Sequence, residues 1–319
     1  MVEYVFTLDD LGRVRFAISP PWELATSLRA LRDPATAGVH IEWVRSMRGR
    51  LAGLDLRPAL ALLGRADYTP DFMTPSPRGP LDSIEEGLEQ IRAAPIARVR
   101  REVGYVRKRR RAPELDTFLE HPRRELNRLA RALGEYWERA FAPSWPRVRA
   151  LLEADIAQRA RSLAEQGAAA ALPDLHPGIR WHADRLAVPV SHNATVPLEG
   201  RGLLLVPSAF GWRGPTVTTA EPWQPAVIYP ARGVALLWEE EAPLDDAIAS
   251  LLGRTRARVL AASAAPVSTS ELARRLAITP SGASQHLSAL SAAGLVSRRR
   301  EGREVLYMRT PLAESLLGA

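Results

Sequence analysis

Ser281, Gln285 and Ser288 recur at four- and three-residue spacing along a segment that also carries Ala283, Leu287 and Leu290. On a helix this spacing gathers Ala283, Leu287 and Leu290 into one apolar stripe that must face a core. The serines and the glutamine then point outward, with Gly282 and Ser284 on their flanks. Such small hydrogen-bonding groups let a helix enter a DNA major groove, where a glutamine amide can address adenine through paired hydrogen bonds. His286 falls between the two faces, so half-buried packing and a DNA contact are equal expectations for it. Downstream, Arg298, Arg299, Arg300 and Arg303 crowd about the turn Glu301-Gly302-Arg303, within reach of phosphates or an adjacent minor groove.

The elements that must position these groups are legible on either side. Ser268-Thr-Ser-Glu271 fits a capping box and opens a short helix through Leu272 and Leu276, which breaks at Ala277-Ile278. Thr279, grouped with the DNA-facing residues, is also suited to cap the next helix, with Pro280 at its first position. Gly294 supplies the left-handed residue that commonly follows a helix end. Leu295 to Arg300 and Glu304 to Arg309 then read as two strands of a hairpin. Helix, turn, helix and charged hairpin together form a winged reader of double-stranded DNA.

Four segments carry a resemblance to the ArsR-type winged helix-turn-helix family. They are Leu252-Gly-Arg-Thr-Arg-Ala-Arg-Val-Leu260, Ser268-x-x-Glu-Leu-Ala273, Thr279-x-Ser-x-x-Ser-Gln-His-Leu287 and Ala293-Gly-Leu-Val-Ser-Arg-Arg-Arg-Glu-Gly302. The resemblance implies a homodimeric bacterial repressor or activator with Ser281, Ser284, Gln285 and His286 near the DNA. Through Phe16-Ala-Ile-Ser-Pro20 and Trp22-Glu-Leu24, the N-terminal part is similar to the helical extension of some actinobacterial members. Many members sense metals through cysteine pairs, or through His and acidic residues in the last helix. This chain has no cysteine and only Glu314 near that end, so neither a metal nor another cofactor is expected.

Trp181, Trp212, Trp223 and Trp238 fall within one β-prone stretch, where they could line a small-molecule pocket with His182 or His192 supplying polarity. Core packing explains the same residues equally well. The run Arg98, Arg100, Arg101, Arg107, Lys108, Arg109, Arg110 and Arg111 is read as a solvated helix face, with a second nucleic-acid surface as the alternative. Ile248, Leu251 and Leu252, with Leu312, Leu316 and Leu317 near the end, form the apolar stripes expected at a dimer contact. No Gly-rich phosphate loop, serine elbow or paired zinc-histidine motif occurs, and no enzymatic activity is expected.

The chain has 319 residues, enough for two or three domains, and 46% hydrophobic with 25% charged residues describes an ordinary globular protein. Its formal charge of +7 favours polyanionic partners. The absence of cysteine excludes disulfides and thiolate chemistry. Met1 to Thr7 lacks the pattern of a secretion signal and no long apolar run follows, so a cytoplasmic protein without a membrane partner is expected.

The fold class expected is α+β, mainly α, in three parts: a helical N-terminal body over 1–172, a β-rich module over 173–243 holding the candidate effector pocket, and the winged domain over 244–319. Val2 to Thr7 reads as a short strand. Helices are expected at 22–31, 40–47, 56–63, 81–93 and 96–111, and from Glu114 to about Ala171 with interruptions near Pro143 and Pro146. The function expected is sequence-specific transcriptional regulation under a non-metal effector or partner. A constitutive DNA-binding scaffold, or an enzyme fused to a DNA-binding domain, are the alternatives.

Overall fold

Val2, Tyr4 and Phe6 alternate with polar or half-buried neighbours, and β1 (Val2–Val5) accordingly buries one face completely. The computed structural model describes all residues except 34–36, 48, 65–67, 212–213, 220, 222, 239–245, 265, 302–303 and 318–319, with the backbone alone at 236, 246–247, 301 and 304. The described chain divides into two units, Met1–Val234 and Ala235–Ala319.

In the first unit β1 is followed by α1 (Leu8–Leu11), β2 (Arg15–Phe16) and α2 (Pro20–Arg32). The Ser19 hydroxyl caps α2 by accepting the Trp22 N–H, and Pro20 and Pro21 occupy the first turn, where no amide donor is required. Then come α3 (Ile41–Met47), α4 (Arg57–Leu62), α5 (Ile84–Arg92) and α6 (Ile96–Arg109). Helix α5 crosses α2 so closely that a Cβ on Gly87 would collide with the Pro21 ring.

The helical stretch expected from Glu114 is cut at two places besides its prolines at 143 and 146, after Glu120 and at Gly167. Helix α7 (Pro113–Glu120) stops at His121, and α8 (Pro122–Tyr136) begins at a proline that has no N–H to continue the preceding helix. A π-turn and a 3-10 turn around Pro143 lead into α9 (Trp145–Gln166), whose first turn accepts Pro146, and α10 (Ala168–Ala171) follows.

The strands β3 (Arg180–His182), β4 (Arg185–Val188), β5 (Ala194–Pro197), β6 (Leu204–Ser208), β7 (Thr216–Thr218) and β8 (Ala226–Pro230) complete two sheets. One has the order β3-β4-β1-β5, with β1 antiparallel to β4 and parallel to β5. The other has the order β2-β6-β8-β7, with β2, β6 and β8 parallel. Val2, Tyr4, Leu186, Val188, Leu205 and Tyr229 share a buried core between them. The Tyr4 hydroxyl, donated from one sheet, lies 3.0 Å and 2.8 Å from the Thr218 and Ala226 carbonyls of the other.

The division expected at 172/173 therefore falls inside one unit, because β1 and β2 are integral strands of sheets otherwise built after residue 180. A buried ion pair within α9 joins the same segments through its further hydrogen bonds. Arg159 of α9 donates to Asp155 at 2.9 Å and to the Asp174 carbonyl at 2.8 Å, while Asp155 accepts the Arg232 N–H at 3.1 Å.

The second unit contains α11 (Asp246–Leu252), α12 (Arg254–Ala262), β9 (Val267–Ser268), α13 (Thr269–Arg275), α14 (Pro280–Ala292), β10 (Val296–Glu301), β11 (Glu304–Arg309) and α15 (Pro311–Leu316). Its sheet runs β10-β11-β9, and its core gathers Leu260, Leu272, Ala283, Leu287, Leu290 and Val296. The fold class is α+β, mainly α. Among the described residues no helix is long and apolar enough to cross a membrane.

Candidate nucleic-acid interface

Two caps and one left-handed residue set the helix-turn-helix. Ser268 accepts the Glu271 N–H at 3.3 Å to start α13, and Thr279 accepts the Gly282 N–H at 3.0 Å to start α14. Between them Ala277 adopts φ 54°, which reverses the chain so that the Ile278 N–H reaches the Ala273 carbonyl at 3.0 Å. At the far end Gly294 takes φ 71°, and the Thr310 hydroxyl donates to its carbonyl at 2.8 Å, fastening the base of the hairpin to the end of α14.

The rotation of α14 about its axis follows from its apolar stripe. Ala283, Leu287 and Leu290 are buried, which leaves Ser281, Ser284, Gln285 and Ser288 exposed in a continuous outward strip. Gly282 and His286 are half-buried, so His286 sits at the edge of the strip rather than at its centre. The Thr279 hydroxyl serves the cap and lies 3.2 Å from the Ser281 hydroxyl, at the N-terminal end of α14.

In the wing, Arg298 pairs opposite Tyr307, Arg299 opposite Leu306 and Arg300 opposite Val305. Strand alternation puts Arg298 and Arg300 on the face shared with buried Val296, and Arg299 on the other. All three are exposed. Arg303 and Gly302 at the tip lie outside the described residues. Arg274 and Arg275, exposed in the last turn of α13, add positive charge beside the turn and are absent from the residues the sequence singled out. A basic pair closing the first helix, which in such motifs crosses the DNA backbone, was the available signal.

The residues considered for an effector pocket are placed apart. Trp181 packs on Phe6 at 5.0 Å against the sheet core. His182 and His192 are exposed, and the His192 carbonyl accepts the N-terminal amine at 2.7 Å. Trp223 lies 5.5 Å from the Arg98 guanidinium and lines an open concavity with Arg13, Glu199, Arg201, Glu221 and Gln224, a set of both charge signs that includes none of Trp181, His182 and His192. Trp212 lies outside the described residues.

The basic run on α6 is largely engaged within the molecule. Arg98 is buried against Asp71 at 2.8 Å and Glu102 at 2.5 Å. Burial, reinforced by Glu102, lifts the Asp71 carboxyl to about 6. Arg107 pairs with Asp116, Arg109 stacks on Tyr105, and Arg110 donates to the carbonyls of Ala61 and Leu63. Arg100, Arg101, Arg107, Lys108, Arg109 and Arg111 are nevertheless exposed, as a solvated helix face has them, and Arg98 is the buried member of the run.

Residues 251–299 match a family described as a helix-turn-helix domain. Residues 97–235 match a family of unknown function (DUF5937). That second match crosses from the helices into the strands and ends at the limit of the first unit, in keeping with one unit rather than two. No curated protein and no solved structure matched the chain. With the hairpin beside it, the matched segment is a winged helix-turn-helix of the ArsR type, the DNA-binding architecture of transcription regulators.

Proposed function

From the premise of a winged helix-turn-helix, we propose that the chain is a sequence-specific, effector-controlled transcriptional regulator that works as a homodimer in the cytoplasm. The observation that carries this reading is the exposed strip Ser281, Ser284, Gln285 and Ser288, held at a fixed rotation by buried Ala283, Leu287 and Leu290. Inserted in a major groove, the strip presents one long amide among short hydroxyls. Gln285 reads a base, and the serines allow close approach. Arg298, Arg299 and Arg300 anchor the flanking phosphates and set the register.

One such helix reads only a few base pairs, so a two-fold pair of protomers on two half-sites supplies the remaining specificity. Leu251 on α11 is 71% exposed and Leu312 on α15 is 60% exposed, which supports these helices as the pairing surface. Leu316, by contrast, packs partly against the core of its own unit.

In this reading the first unit performs no catalytic step. It senses a non-metal ligand, and the ligand shifts the population between arrangements of the dimer that fit the operator and arrangements that do not. Repression by occupying the operator is the output we assign.

Selection of full-length protein on random duplex DNA tests the reading. The expected result is an enriched inverted repeat with half-sites about 10 base pairs apart. Recovery of unenriched DNA would overturn sequence-specific recognition.

A further inference from the structure

A cleft of about 170 Å³ opens where the last turn of α6 meets the ends of α2 and α4. Its apolar walls are Leu62 and Val106, both buried. Two tyrosines supply aromatic surface: Tyr68 and Tyr105 meet edge to face at 4.8 Å and 69°. Three guanidinium groups surround it, from Arg32, Arg109 and Arg110, and no Asp or Glu is among its described lining residues.

The arginines are held by the backbone. The Arg32 Nη1 donates to the Leu60 carbonyl at 3.0 Å and to that of Leu63, and Arg110 donates to those of Ala61 and Leu63. These carbonyls end α4, where the helix dipole favours a cation. Arg109 is fixed differently, with its guanidinium 3.4 Å from the Tyr105 ring centroid and Nη1 on the Tyr105 carbonyl at 3.3 Å. A guanidinium carries five donors, and the hydrogen bonds of Arg32 engage Nη1, so Nε and Nη2 are available in a preset orientation. Preset donors reduce the ordering cost of capturing an anion.

We propose that this cleft binds a small aromatic carboxylate, one ring with its anionic group. The ring takes the slot formed by the tyrosines, Leu62 and Val106, while Arg32 and Arg109 hold the carboxylate. Size supports a single ring, since an apolar cavity of about 150 Å³ accepts benzene. Charge supports an acid over a neutral ring, and the aromatic and aliphatic lining supports a ring-bearing acid over inorganic phosphate. The site deepens the regulator reading above by naming the chemical class of effector and where it enters.

Calorimetric titration of the full-length protein with benzoate, in the absence of DNA, tests the site. Benzoate is expected to bind once per chain, with benzamide and inorganic phosphate each weaker by about tenfold or more. Arg32 and Arg109 are exposed, so Arg32→Gln and Arg109→Gln should both stay folded, checked by a cooperative melt, and each should lower benzoate affinity about tenfold. Tyr105→Leu, on an exposed position of α6, should lower it while leaving the charges in place. No saturable benzoate binding, equal affinity for phosphate, or wild-type affinity in both arginine variants would overturn the proposal. Because no DNA is present, failure here leaves the DNA-binding reading standing, and failure of DNA selection leaves this titration unaffected.

Discussion

Both carboxylate oxygens of Glu23 lie 3.2 Å from the backbone nitrogen of Ala209. One of them also accepts the Phe210 N–H at 3.3 Å, and His40 faces the same chain segment with Nε2 3.1 Å from the Ala209 carbonyl. Helix α2 and the turn before α3 thereby pin the end of β6 from two directions. Burial outweighs the hydrogen bonds at Glu23 and pushes its carboxyl from 4.5 up to about 7, while burial pushes His40 from 6.5 down to about 4.

These shifts act on stability with opposite signs. The raised Glu23 contributes stability that is full below about 4.5 and is lost as pH rises through about 7. The lowered His40 contributes stability that is full above about 6.5 and is lost as pH falls through about 4. Glu23→Gln removes the first contribution only. Relative to the variant, the wild type should lose about 3 kcal/mol between pH 4.5 and 7, measured by urea melts across that range. Parallel pH profiles of the two proteins would show that Glu23 keeps its ordinary pKa.

At the DNA, Gln285→Ala should weaken operator binding by about 1–3 kcal/mol and leave binding to scrambled DNA nearly unchanged, because the proposed role of its exposed amide is to read a base edge and not to hold a phosphate. Fluorescence anisotropy on both duplexes measures this. Equal losses on the two would remove Gln285 from base recognition.

The wing arginines act through charge. Replacing Arg298 and Arg299 together by glutamine should flatten the dependence of affinity on salt, by about 0.9 in logarithmic slope for each phosphate that is no longer neutralised. The two lie on opposite faces of β10, so the single variants also tell which face of the wing meets the backbone. An unchanged slope in a folded double variant would place both away from the DNA.

For assembly, Leu251→Glu combined with Leu312→Glu should convert a dimer to a monomer in sedimentation velocity and lower operator affinity. Both side chains are more than half exposed, so the monomer's own core is untouched. A wild-type protein that sediments as a monomer while saturating its operator one to one would refute the pairing.

Ala277 holds a left-handed conformation in the turn between α13 and α14. For an alanine this costs about 1–2 kcal/mol, whereas glycine adopts it freely and loses about 0.4–1 kcal/mol through the unfolded chain. Ala277→Gly should therefore raise the stability of the winged unit by up to about 1 kcal/mol, seen as a higher melting temperature. A lower one would mean that the turn carries no strain.

The winged unit was legible because its signals are local: Thr279 lies three residues from the amide it caps, and Ala283, Leu287 and Leu290 recur at helical spacing. Gly294 acts within the same few residues. The strand at Val2–Val5 was equally visible, but nothing near it names Val188 or Ala194 as its partners. The boundary expected at 172/173 followed from that silence. Arg98 read as a member of a charged face because Asp71 meets it only in three dimensions. Trp181 and Trp223 fall in one β-prone stretch of the sequence, but Trp181 packs on Phe6 while Trp223 stands beside Arg98. Arg32 and Arg109 are far apart in the chain, and the cleft they share has no sequence signature.

The placement of β1 between β4 and β5 also sets a timetable for synthesis. β1 leaves the ribosome roughly 190 residues ahead of the strands that flank it, a wait of roughly ten to forty seconds at about 5–20 residues per second. Throughout that interval both of its edges are unpaired, and the helices from Pro20 to Ala171 must form around a sheet that does not yet exist. The winged unit, whose strands all lie between Val267 and Arg309, closes soon after it emerges. A cell making this protein thus carries an incomplete first unit until β5 and β8 have emerged, an interval in which the open edges of β1 can meet other chains.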